Sequence, residues 1–184
     1  MGMSAQDKML NVASRLGLTS LKDMQGTTRM VYDSQTTAAA NHTFFKGASQ
    51  RAFPLTNVGA NGNQFQVDEA LLVEKIGFFI PTAADGIAYT GSGAVSVKFD
   101  LIIGNKTVLK DVSCEVGGQQ AFYNDGNAPS IVIDLEGVGI LIPPQVEYYV
   151  VAKPFNAAVR IPETVRLGCY LFGTGALLNF NTTI

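Results

Sequence analysis

The chain lacks tryptophan and has one histidine, His42, and two cysteines among its 184 residues. A catalytic triad needs a histidine beside its nucleophile, and a zinc site needs three or four ligands that are mostly Cys or His. Cys114 and Cys169 lie far apart and fit no metal or redox spacing, so we expect two buried, reduced thiols. We expect His42, in a polar stretch, to be exposed and incidental. The sequence therefore predicts no catalytic residue and a protein that is not an enzyme.

Cofactor motifs are missing as well. Gly137-Val138-Gly139 lacks the third glycine of a dinucleotide-binding loop, because position 142 is isoleucine, and no Gly-Lys-Ser/Thr loop occurs. Asp125-Gly126-Asn127, with Asn124 and Asp134 nearby, could offer oxygen ligands to Ca²⁺, but the EF-hand spacing is absent and the segment is first of all a turn. We predict no cofactor-binding and no metal-binding residues, and Ca²⁺ at this turn is the alternative.

Charge is scarce. Charged residues make up 15% and hydrophobic residues 47% of the chain, whereas soluble domains carry about 25% charged residues. No stretch approaches the ~20 apolar residues of a membrane span, and the N-terminus (MGMSAQDKML) has no signal-peptide core. We therefore expect synthesis in the cytoplasm, no membrane span, and a surface that is partly covered by copies of the same chain.

The charges are unevenly divided along the chain. Residues 1–51 hold six basic and three acidic residues, a net charge of +3, and residues 52–184 hold the other seven basic and twelve acidic residues, a net charge of -5. A basic N-terminal region on an acidic body could contact a neighbouring body or a polyanion.

The N-terminal region predicts an arm over residues 1–63. Ser4–Leu16 indicates a short helix, with Ser4 as its cap, Asp7 three residues further on, and Gly17 at its end. Its apolar side carries Met9, Val12, Ala13 and Leu16. Residues 27–62 are rich in Thr, Ala, Ser, Asn and Gly and lack periodicity, which is typical of an extended segment that covers a folded surface.

The longest apolar run, Ala70–Ile80, predicts a strand buried on both faces that ends at Pro81. One face would carry Leu71, Val73, Lys75, Gly77 and Phe79, and the other Leu72, Glu74, Ile76, Phe78 and Ile80. A helix capped by Asp68 is the alternative. We favour the strand, because β-branched and aromatic residues dominate the run and Gly77 would interrupt a helix.

Residues 64–184 predict a body of about eight short strands. The clearest pair is Ala94–Ile103 and Lys106–Glu115, joined by the turn Gly104-Asn105. That turn sets the pairs Leu101 with Val108, Val97 with Val112, and Lys98 with Asp111. Further strands are expected at Ser130–Leu135, Ile140–Ile142, Glu147–Lys153, Ala158–Ile161 and Val165–Gly173, and after a turn at 173–175 at Ala176–Thr182.

Short strands separated by Gly, Pro, Asn and Asp, with no helix after residue 63, predict an all-β fold. The size and strand number favour an antiparallel eight-stranded jelly-roll sandwich with an extended, partly helical N-terminal arm. An immunoglobulin-like sandwich is the second choice, although the Trp of its Cys-Trp-Cys signature is missing.

This plan resembles the single jelly-roll coat proteins of small icosahedral viruses and phages. The shared features are the basic, Ser/Thr/Ala/Asn-rich arm up to about residue 62, the eight-strand body from residue 64 to residue 184, and the scarcity of charge. The resemblance implies a virion structural protein that self-assembles through sheet faces and the arm, and contacts copies of itself and other virion proteins. Because a charge of +3 is modest for a coat-protein arm, we expect at most weak contact with nucleic acid.

An alternative function is a carbohydrate- or receptor-binding module of the fibre or lectin type. Its binding residues would lie in loops around Tyr123–Asn127 or Tyr89.

Overall fold

The computed structural model describes residues 3–18, 21–22, 24–34, 41–46, 56–58, 62–79, 97–113, 131–135, 139–154 and 167–178. Within these residues there are one helix and nine strands: α1 Ala5–Arg15, β1 Met24–Ser34, β2 His42–Phe44, β3 Glu69–Phe79, β4 Val97–Ile103, β5 Lys106–Ser113, β6 Ile131–Asp134, β7 Ile140–Ile142, β8 Tyr148–Pro154 and β9 Gly168–Leu178. The helix is too short to cross a membrane.

The strands form two antiparallel sheets. Sheet A has the order β1-β9-β3-β6, with β7 also paired to β3, and sheet B has the order β2-β8-β4-β5. All strand pairs are antiparallel. The two sheets face each other around one large hydrophobic cluster. The predicted all-β antiparallel sandwich is therefore confirmed.

Aromatic side chains fill much of the space between the sheets. The ring centroids of Phe44 and Phe78 lie 6.1 Å apart, and those of Phe78 and Phe99 lie 5.1 Å apart. Phe44 and Phe99 come from sheet B, whereas Phe78 comes from sheet A. These rings therefore join the two layers, and aromatic pairs of this kind add to the stabilisation from burial.

Strand β3 confirms the strand predicted for the longest apolar run, but its faces differ from the prediction. Leu71 and Val73 lie in the core between the sheets together with Ile76 and Phe78. A regular strand would place these two pairs on opposite faces. The register between β3 and β9 shifts between Val73 and Lys75, and this bulge turns both halves of the strand towards the core.

Strand β9 continues through residues 173–175, so the predicted turn there is wrong. The two glycines are used for close approach instead. A Cβ atom on Gly173 would lie 2.0 Å from the carbonyl oxygen of Leu72, next to the bulge in β3, and one on Gly175 would lie 3.0 Å from the Cβ atom of Arg29. Gly173 therefore leaves room for the bulge and Gly175 for an arginine side chain.

The hairpin of β4 and β5 turns at Gly104-Asn105 as predicted, with Gly104 at φ +60. Ile103 pairs with Lys106, in the predicted register. Two register shifts follow, and they make the predicted strand partners wrong: Leu101 pairs with Leu109, and Phe99 with Val112.

Asp111 accounts for part of this shift. Its backbone has the unusual φ of +48, and its N–H donates to Asp100 Oδ1 at 2.7 Å. The predicted charge contact between Lys98 and Asp111 is present at 3.6 Å. Val108, which was expected to face Leu101, is 44% exposed instead.

The predicted N-terminal helix is confirmed as α1. Ser4 and Asp7 form a reciprocal capping box, in which each side chain binds the backbone of the other. Val12 and Ala13 are buried, and Val12 packs against the outer face of sheet A, with Ala70, Leu72 and Ala176. The helix thus adds a partial third layer to the sandwich.

The remainder of the predicted arm differs from the expectation. Strand β1 pairs with β9 from Met24 and Leu178 to Ser34 and Gly168, and β2 pairs with β8. Residues 24–34 and 42–44 are therefore strands of the two sheets, and the description of 27–62 as an extended covering segment is wrong for them. Val31 and Phe44 lie in the core, which the Thr-rich sequence around them did not indicate.

Candidate functional site

His42 lies inside the sandwich, which corrects the expectation of an exposed side chain. It is 2% exposed on β2, and its ring stacks on Phe44 with centroids 6.2 Å apart. Its Nε2 atom has no hydrogen-bond partner in the described part of the chain, and burial lowers the pKa of the imidazole. Among the described residues, this ring is therefore enclosed and packs against Phe44.

The buried imidazole makes stability depend on pH. Because the pKa of His42 in the folded state lies below its ordinary value of 6.5, the unfolded chain binds more protons at acidic pH. The stabilisation is complete above that value and is lost as the pH falls below it. We expect the melting temperature to fall more between pH 7.5 and pH 5 for the wild type than for His42→Phe, as measured by circular dichroism.

The comparison with His42→Phe separates this effect from that of the carboxylates, which are shared by both proteins. Parallel curves for the two proteins over this range would contradict the assignment to His42.

The other residues considered for chemistry come together in no described site. Cys169 is buried, as predicted, and forms no disulfide among the described residues. Asp134 forms an ion pair with Lys75 at 3.3 Å. No group of three His, Cys, Asp or Glu side chains that could hold a metal ion occurs in the described ranges. Cys114, Tyr89, Asn124 and Tyr123–Asn127 lie outside the described residues.

One end of the sandwich is occupied by a cluster of four side chains, which we call the end cluster: Arg29, Phe65, Glu69 and Tyr148. Both terminal nitrogens of Arg29 contact the Glu69 carboxylate at 3.1 Å. The guanidinium lies 4.6 Å from the Phe65 ring centroid, and that ring stacks on Tyr148 at 5.2 Å. Burial raises the pKa of Tyr148.

A cavity of about 260 Å³ adjoins the end cluster. The Arg29 guanidinium is already paired with the Glu69 carboxylate, and it covers the face of the Phe65 ring. The cluster therefore closes an end of the core between β1, β3 and β8. Sequence reasoning missed it, because its members lie far apart in the chain and no local pattern connects them.

The outer face of sheet A is partly covered by α1. Lys8 forms an ion pair with Glu74 at 2.7 Å, and Arg15 donates to the carbonyl oxygen of Gly139 at 3.0 Å. Between the helix and the sheet lies a groove of about 530 Å³, lined in part by Met9 and Phe172. The helix is thus held at both ends but does not fill the space beneath it.

The outer face of sheet B carries a group of paired charges. Lys153 is hydrogen-bonded to Asp100, and Asp111 lies 4.0 Å from the same lysine. Burial raises the pKa of Asp100, but the Asp111 N–H and the Lys153 ammonium together hold it below its ordinary value. The bond to Asp100 raises the pKa of Lys153. This face is therefore suited to polar contacts.

Several large apolar side chains are exposed in the described part of the chain. They are Met3, Leu10, Leu18, Met30, Val67 and Val108. Three of them, Met3, Leu10 and Leu18, lie on or beside α1. A scan against protein-family models and a search of curated proteins found no match to this chain.

Proposed function

We propose that this chain is a virion structural protein, a coat or capsid subunit with a jelly-roll sandwich that self-assembles through its sheet faces and its N-terminal region. The strand order carries the proposal. If β6 and β7 are taken as two halves of one strand beside β3, sheet A has the order first, eighth, third, sixth, and sheet B the order second, seventh, fourth, fifth. This order supports a jelly roll as the architecture of the sandwich, and jelly rolls are found in viral capsid and lectin domains.

A fold by itself does not define a function, so the proposal also rests on the surfaces. The chain is poor in charge, with 15% charged residues. A helix lies outside the two sheets and presents Leu10, which is 47% exposed, to its surroundings. Exposed apolar side chains on an element that projects from a β-sandwich are what contacts between subunits would use.

Assembly is tested with a charge placed on α1. We expect the purified protein to form closed particles or discrete oligomers, seen by electron microscopy and multi-angle light scattering. Leu10→Glu should raise the protein concentration needed for assembly by about tenfold or more, since ~1.4 kcal/mol lost per contact corresponds to that factor.

Gln6→Glu is the matched control, because it adds the same charge at another exposed position of α1. It should assemble like the wild type. A wild-type protein that stays monomeric at high concentration would refute the proposed function, and equal behaviour of the two variants would remove α1 from the contacts.

A further inference from the structure

The outer edge of β1 is closed along only one half. Near its C-terminal end, Asn57 pairs with the strand as a backbone would: its Oδ1 accepts from the Tyr32 N–H at 2.7 Å, and its Nδ2 donates to the Met30 carbonyl oxygen at 2.8 Å. The Thr56 hydroxyl donates to the Tyr32 carbonyl oxygen at 2.9 Å. Residues 56–57 therefore occupy the edge from Met30 onwards.

Among the described residues, the N-terminal half of this edge, from Met24 to Arg29, has no strand partner. The pairing of β1 with β9 has no register shift, so peptide groups alternate between β9 and the outer edge. Because Tyr32 points its N–H and carbonyl group outwards, Gly26 and Thr28 do the same. Both residues are exposed, and no described strand pairs with them there. Apart from a 3.4 Å contact from the Thr27 hydroxyl to the Thr28 carbonyl oxygen, these groups face outwards unbonded within the described residues.

Lysines, prolines and bulges are features that usually prevent strands from pairing between molecules. The open edge has none of these three features. The edge strand of sheet B, β5, carries Lys106, Lys110 and the irregular Asp111. In Met24–Met30 the one charged residue is Arg29, and its guanidinium binds Glu69 of the same chain.

We propose that the open edge of β1 pairs with the same edge of a second copy of this chain, antiparallel about a two-fold axis at Thr27. Sheet A then continues across the two subunits. The inference rests on the proposed function in one respect, since it names one of the contacts by which the subunits assemble. The register centred on Thr27 uses the whole open stretch and stops where Asn57 begins to occupy the edge.

Side chains along the open edge support this register. Met30 is 47% exposed and would lie opposite the partner's Met24. In this chain Met24 packs against the cluster beneath α1, so the pair would extend that apolar cluster across the axis. Arg29 would lie opposite the partner's Gln25, and no two like charges would face each other. The two edges are therefore complementary in hydrogen bonding, apolar contact and charge.

Proline substitution at two adjacent positions tests the pairing. Thr28→Pro removes an outward N–H and leaves the ladder to β9 intact, whereas Thr27→Pro removes an N–H that faces β9. We expect Thr28→Pro to keep the wild-type melting temperature within a few degrees and to weaken self-association at least tenfold in sedimentation velocity. Thr27→Pro should lower the melting temperature markedly.

Amide hydrogen exchange of the wild type provides a measurement that does not depend on how the variants fold. Exchange at Gly26 and Thr28 should slow at least tenfold in the associated sample relative to a dilute one. Equal exchange rates in the two samples, or undiminished self-association of Thr28→Pro, would overturn the pairing. Particles that form equally well with Thr28→Pro would leave the proposed function standing and remove this contact. If the wild type forms dimers but no particles, and Thr28→Pro loses the dimers, the edge contact would stand and the proposed function would fall.

Discussion

Gly173→Ala is expected to destabilise the protein by about 3 kcal/mol or more, because the new methyl group meets backbone and not a movable side chain. A Cβ atom at this position would lie 2.0 Å from the Leu72 carbonyl oxygen and 2.9 Å from the Glu74 nitrogen. The first atom lies next to the bulge and the second belongs to it, and this bulge turns Leu71 and Val73 towards the core together with Ile76 and Phe78. Relieving the clash would require the bulge to move, and with it the central strand of sheet A.

Gly77→Ala provides the matched control for this prediction. Its Cβ atom would also be too close to a neighbour, 2.2 Å from Tyr170 Cζ and 2.5 Å from the tyrosine hydroxyl oxygen. Those atoms form the far end of a side chain, which can rotate away, so the loss should be clearly smaller than for Gly173→Ala. Urea-induced unfolding, followed by circular dichroism, measures both losses. Equal losses would show that the bulge is not the rigid element inferred here.

Removal of residues 1–34 is expected to abolish folding. These residues include β1, which pairs along its whole length with β9 and contributes the core residue Val31. They also include Asp33, whose buried carboxylate accepts the N–H of Phe45 at 2.7 Å. Loss of a whole strand from a core sheet should exceed the ~5–15 kcal/mol by which domains of this kind are stable.

Removal of residues 1–22 is the informative comparison, because it deletes α1 and keeps both sheets. The helix buries Val12 and Ala13, and the loss of these contacts should cost about 2–4 kcal/mol. We therefore expect a folded chain with a lowered melting temperature and the far-ultraviolet spectrum of a β-protein. A cooperative thermal transition in the chain that lacks residues 1–34 would contradict the role given to β1.

These truncations bear directly on the proposed assembly. The sequence favours an arm over residues 1–63, but within that range β1 and β2 are paired strands of the sheets. An assembly defect caused by removing residues 1–50 would therefore be indistinguishable from unfolding. A defect caused by removing residues 1–22 would report on contacts made by α1 and the segment that follows it.

The elements predicted correctly are those whose signals are local. The helix α1 is specified by the capping pair Ser4 and Asp7 and by apolar residues at helical spacing. Strand β3 follows from an apolar run with poor helix formers, and the β4–β5 turn from Gly104-Asn105. Each of these signals lies within a dozen residues, so no knowledge of the partner element is needed to recognise it.

The errors share a different origin. Each bulge shifts the alternation of side chains by one residue and so reverses the face assignments that follow it. The sequences of β3 and β5 contain no residue that indicates where the bulges lie. Strand β1 lacks a periodic pattern because its N-terminal half is exposed at an edge, and His42 is buried because β2 lies beside β8. The end cluster could not be predicted from local sequence either, because it joins residues from three strands and a loop.

The amino-acid sequence alone determined that this protein is built mainly of short antiparallel strands, with a capped helix at the N-terminal end. Those properties follow from composition and from apolar spacing along neighbouring residues. The tertiary structure alone decided which strands share a sheet, which faces of β3 meet the core, that His42 is enclosed, and where an edge of sheet A stays open. These depend on pairing between residues more than a hundred positions apart, as between β1 and β9, and such pairing leaves no mark on the local sequence.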